Sequence, residues 1–117
     1  MTRQVTFPTI SAGQRVSAPF SIANAQDIGL IIPMLDANPG STMAVQIHAA
    51  LASPGATPSS ASYMPIQKND GSGVLQVVTA GSCAIALGPH VAGFDQVRIF
   101  VSSALASAAA FQLVQRL

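Results

Sequence analysis

Apolar and polar positions alternate along most of this chain, and wherever the alternation stops, Pro, Gly, Asn, Asp or Ser takes over. Met43, Val45, Ile47, Ala49 and Leu51 fall on one side of a period-2 ribbon, and Ala44, Gln46, His48 and Ala50 fall on the other. That is how a half-buried strand is written. Ser53-Pro54-Gly55-Ala56-Thr57-Pro58 follows and cannot continue a ladder, because its prolines lack donors and Pro-Gly favours a turn. Residues 63–67 read as a short aromatic strand, Asn69-Asp70-Gly71 with Ser72-Gly73 as a turn tolerant of positive φ, and residues 74–78 as the returning strand of a hairpin.

The rest of the chain carries the same period. Val5 and Phe7 alternate with Thr6 in a first strand that stops at Pro8, and Ser11-Ala12-Gly13 reads as a turn. Val16, Ala18, Phe20 and Ile22 share a face; Pro19 among them predicts an edge strand or a bulge. Residues 28–35 are apolar on both faces, as a strand is when it is covered on both sides by core, a loop or another subunit. Cys83, Ile85 and Leu87 alternate, then Val97, Ile99 and Val101 against Arg98 and Phe100, and residues 111–116 close the chain. The Ala/Ser-rich segment 102–110 fits either a helical turn or a loop across the end of a sheet. The expectation is an all-β chain: one antiparallel β-sandwich domain spanning 1–117, jelly-roll-like, with 8–9 short strands and residues 1–12 available as an extended arm.

Composition changes this picture in one respect. Only 8% of the residues are charged, with a net charge of +1, against about a quarter charged in a typical soluble domain. Either much of the surface is covered by neighbours in an assembly, or it is an Ala/Ser-rich surface that is neutral without being adhesive. Arg3, Arg15, Lys68, Arg98 and Arg116 are dispersed, whereas nucleic-acid binding requires several phosphates to be neutralised together. The first residues lack the apolar run of a signal peptide, and no segment is long enough to span a bilayer as a helix. Synthesis in the cytoplasm, no direct nucleic-acid contact and no membrane contact are the expectations.

Candidate chemistry is sparse. The chain has no Glu, and Asp27, Asp36, Asp70 and Asp95 fall in loops or at strand ends, where Asp caps turns. His48 and His90 are the only imidazoles, Cys83 is the only thiol, and neither a zinc spacing nor a nucleophile motif is present. The expectation is no enzyme, no cofactor, no metal and no catalytic residue. Tyr63 is the one ring suited to stacking a sugar, its plainer role being a ring packed at a strand end with its hydroxyl in water.

Several stretches, in this order, carry a resemblance to a known group. They are Val16-Ser17-Ala18-Pro19-Phe20-Ser21-Ile22, Gly29-Leu30-Ile31-Ile32-Pro33-Met34, Ala50-Leu51-Ala52-Ser53, Tyr63-Met64-Pro65-Ile66, Asn69-Asp70-Gly71, Gln96-Val97-Arg98-Ile99, Val101-Ser102-Ser103 and Phe111-Gln112-Leu113-Val114. Together they resemble the small β-sandwich virion proteins of tailed bacteriophages, which include capsid decoration (cement) proteins and some tail-associated accessory proteins. The chain departs from them in its long Ser-rich 53–62 loop and in having no Trp beside Tyr63, which leaves head and tail both open. The resemblance implies a protein on the virion surface that bridges major capsid protein subunits, acting as a homo-oligomer, dimer or trimer. Its alternative is a tail or baseplate protein with a receptor- or carbohydrate-binding role. Val5, Phe7, Pro54 and Tyr63 are the candidate partner contacts.

Overall fold

The structure, a computed structural model, describes residues 3–22, 27–35, 43–50, 63–68, 72–79, 82–87 and 96–116. Pro54, His90 and the Asn69-Asp70-Gly71 turn therefore lie outside the described residues. The described strands are β1 (Arg3–Thr6), β2 (Thr9–Ile10), β3 (Phe20–Ser21), β4 (Asp27–Ile32), β5 (Met43–Ala50), β6 (Tyr63–Pro65), β7 (Gln76–Thr79), β8 (Cys83–Ala86), β9 (Gln96–Val101), β10 (Ala109–Ala110) and β11 (Gln112–Arg116). All the pairings are antiparallel. Among the described residues none is helical, and the 102–110 segment is irregular up to β10, with Leu105 buried in the core.

The chain is an all-β sandwich. One sheet has the order β1-β11-β4-β8, and the other has β3-β9-β5-β6, with β7 also on β5. Apart from β2 and β10, and with β5, β6 and β7 kept in one sheet, strands switch between the two sheets along the chain in the order of a jelly roll. The alternation read from the sequence fills the space between the sheets: Ile28, Leu30, Ile32 and Leu113 from the first meet Val45, Ile47, Val97, Ile99 and Val101 from the second in a single buried cluster. Burying a side chain of this size stabilises the fold by about 1.5–3 kcal/mol, so the inward set determines which face of each strand packs.

Within the segment expected as an arm, residues 3–10 are laddered. Arg3 pairs with Arg116 and Ile10 with Ala109 in one unbroken register. Between β1 and β2 the ladder continues through one bond, from the Phe111 N–H to the Pro8 carbonyl at 2.8 Å, since Pro8 has no N–H to return the second. The Ser11-Ala12-Gly13 turn forms as expected, with Gln14 N–H bonded to the Ser11 carbonyl at 3.1 Å and Gly13 at φ +79°, a backbone state that suits Gly. Past this corner the chain joins the other sheet along β9.

Here the expected long strand is interrupted. Val16 pairs with Phe100 and Phe20 with Val97, so Ala18 and Pro19 together stand opposite Arg98 alone. That is a β-bulge on an edge strand, where Pro19 needs no ladder donor. The 63–78 hairpin differs too. Its inner turn is laddered through Gln67 and Val74, but β6 and β7 lie end to end along β5 instead of on each other.

Candidate functional site

Strand registers place side chains in rows across the outer face of the β1-β11-β4-β8 sheet. Arg3, Arg116 and Asp27 form one row; Val5, Val114, Gly29 and Ala86 form the next; Gln112, Ile31 and Ala84 form a third. In a pleated sheet directly paired residues share a face, and the partners of these positions on the same strands are the inward core residues. The middle row is wholly apolar. Val5 is 39% exposed and Ile31 41%, while Phe7, next in the alternation of β1, is 64% exposed and Met34, just past β4, 75%.

This is the face that the sequence marked as apolar on both sides, and the described chain leaves it open. Gly29 and Ala86 stand side by side with almost no side chain, and a hollow of about 160 Å³ lies over them, rimmed by Arg3, Arg116 and Asp27. Arg3 and Arg116 are directly paired like charges, an arrangement that destabilises a sheet slightly. Asp27 turns one oxygen back to the N–H of Ile28 at 3.0 Å. The face thus offers an apolar field with an excess of positive charge along one end.

The outer face of the other sheet is already occupied by its own side chains. His48, on the polar side of β5 as its sequence position implied, is nevertheless buried, with its ring stacked on Phe100 at 4.6 Å and 17°. Its Nε2 lies 2.9 Å from Gln46 Oε1, and Gln46 Nε2 donates to Gln76 Oε1 at 3.0 Å. An amide oxygen only accepts, so this arrangement puts the imidazole proton on Nε2. Burial, and secondly the nearby Arg98 charge, push the His48 pKa below its ordinary value. The ring is a neutral packing element bonded to the Gln46 amide.

Of the candidate contacts, Val5 and Phe7 come together at the edge of the apolar face. Tyr63 belongs to the opposite sheet, is 8% exposed, and carries the Arg98 guanidinium over its ring at 4.4 Å. Its hydroxyl is buried and finds no hydrogen-bond partner among the described residues, unlike the solvated hydroxyl expected of a ring at a strand end. A sugar could not stack on it without displacing Arg98. Ile31 and Met34 were missed because an apolar run without polar alternation does not say which side stays open. Among the described residues no three His, Cys, Asp or Glu side chains are grouped to hold a metal ion, and no helix is long and apolar enough to cross a membrane.

Comparison with known proteins adds little to this geometry. No family model matches the chain, and no curated protein matches it. Among solved structures, a chain described by the words "Bacillus endospore appendages form a novel family of disulfide-linked pili" is similar at 16% identity and a TM-score of 0.47, over 97% of this chain and 84% of that one.

Proposed function

We propose that this chain is a structural protein that works by association, and specifically a cement-type virion protein of a tailed bacteriophage that lies on the outside of the head and joins neighbouring major capsid subunits. The observation that carries the reading is the open apolar face of the β1-β11-β4-β8 sheet, with Val5, Phe7, Ile31 and Met34 exposed on or beside it, in a chain of which only 8% of residues are charged. Contiguous apolar surface rimmed by polar groups marks an interaction site. The head assignment within this class comes from the sequence resemblance. A carbohydrate-binding role on the tail is less well supported, because the Tyr63 ring is covered by Arg98.

Point substitutions test the face better than truncation, since removing residues 1–8 would also strip β1 from β11. Undecorated heads of the corresponding phage are mixed with purified chain, sedimented, and assayed for bound protein. Ile31→Asp should lower binding at least tenfold, while Val78→Asp, at a more exposed position on the opposite sheet, should bind as the parent does. Equal binding by the parent and Ile31→Asp would contradict the reading.

A further inference from the structure

β1 is one of three four-residue edge strands among the described residues, with β7 and β8, that carry no bulge and no proline within them. β3 is blunted by the Ala18–Pro19 bulge, and β6 ends in Pro65. Which backbone groups of β1 are free follows from one bond. Phe111 N–H donates to the Pro8 carbonyl, so Pro8 is a hydrogen-bonded position of the β1–β11 ladder. By the alternation of antiparallel pairs Thr6 and Gln4 are hydrogen-bonded positions too. Arg3, Val5 and Phe7 therefore turn their N–H and C=O groups away from β11, to the open edge. In keeping with this, the Phe7 carbonyl accepts from Thr9 Oγ1 at 3.2 Å, which leaves it a second lone pair.

We propose that two copies of the chain pair through β1, antiparallel about a two-fold axis at Val5, so that the two four-stranded sheets become one. This deepens the homo-oligomer part of the cement reading by fixing the symmetry and the register, but it does not depend on the shell being the partner. Three features favour a second copy as the occupant and this register over its neighbours. First, centring on Val5 opposes Val5 to Val5, Arg3 to the second copy's Phe7 and Phe7 to its Arg3, so every edge-facing backbone group from Arg3 to Phe7 gains a partner. A centre at Gln4 would oppose Phe7 to Met1, outside the described residues, and one at Thr6 would carry the pairing past Pro8 to oppose Arg3 to Thr9. Second, the register sets a guanidinium beside an exposed phenyl ring on the outer face, a cation–π pairing, and holds the two Arg3 residues four positions apart. Third, on the inner face it brings the second copy's Gln4 beside Thr6, whose Oγ1 is buried without a hydrogen-bond partner among the described residues. The apolar rows of the two copies then run on as one surface, with paired Val5 at its middle.

The test uses the whole chain without any shell. Light scattering across micromolar to millimolar concentration should give twice the 11.9 kDa chain mass. Val5→Pro should halve that mass at unchanged circular dichroism, because the lost N–H faces the open edge, where proline is tolerated. In a Cys83→Ser background, Val5→Cys should oxidise to a covalent dimer, the paired Cα atoms being about 5.5 Å apart and within disulfide reach. Arg3→Cys should not, since its copies would be separated by about 13 Å of strand. A monomeric parent chain, a dimer indifferent to Val5→Pro, equal cross-linking at both positions, or a concentration-dependent series of larger species, as head-to-tail pairing of β1 with β8 would give, overturns the proposal. Failure of Ile31→Asp to affect head binding would leave it standing, since Ile31 is on β4, away from this edge.

Discussion

Ser17 and Ile99 are joined by two hydrogen bonds, one of which uses the side chain in place of the backbone. The Ser17 N–H donates to the Ile99 carbonyl at 2.9 Å, and the Ile99 N–H donates to Ser17 Oγ, also at 2.9 Å. Ser17 Oγ in turn donates to the Ala18 carbonyl at 3.1 Å. The hydroxyl stands where the bulge has disrupted the ladder, and both residues are buried. Ser17→Ala should leave the Ile99 N–H without an acceptor, at a cost of about 1–3 kcal/mol, read as a lower urea midpoint at unchanged slope.

His48 makes stability depend on pH in a defined direction. Its folded pKa lies below the ordinary 6.5, so between those values the unfolded chain binds a proton that the folded chain does not. Stability therefore rises with pH across that window. The contribution is full above about 6.5 and is lost as pH falls toward the folded value. Thermal melts at pH 7 and pH 5 should show a drop in Tm that is smaller in His48→Gln. An equal drop in both proteins would assign it to other groups.

Removing the Tyr63 hydroxyl should stabilise the chain. A buried hydroxyl without a partner carries an uncompensated desolvation cost, and the Arg98 stack needs only the ring. Tyr63→Phe should gain about 1 kcal/mol in denaturant unfolding, whereas Tyr63→Ala, which empties the space under Arg98, should lose about 3–5 kcal/mol. A loss on Tyr63→Phe would mean that the hydroxyl is bonded.

The sequence made the core legible where alternation was strict. Val97, Ile99 and Val101 point inward and Arg98 and Phe100 outward, because a single shift in register would turn five side chains over. It also located the Pro19 irregularity, but not the role of Ser17, because a buried serine looks like a solvated one until its partner strand is known. His48 reads as polar and outward, and it is outward, but Phe100 from β9 covers it, a contact between residues 52 positions apart that no local pattern encodes. The apolar 28–35 run signalled burial on both faces; that the described residues leave one face open follows only once β11 and β8 are placed on either side of β4. Half of the candidate site was legible for the same reason: Val5 and Phe7 lie on an alternating strand, whereas Ile31 and Met34 lie within the unpatterned run.

The central claim, a structural protein of the phage head, is tested most directly by counting. Quantitative mass spectrometry of purified virus particles should give this chain a copy number of the same order as that of the major capsid protein. A handful of copies per particle would place it on the tail and contradict the cement assignment, and its absence from the particle would contradict a virion role altogether.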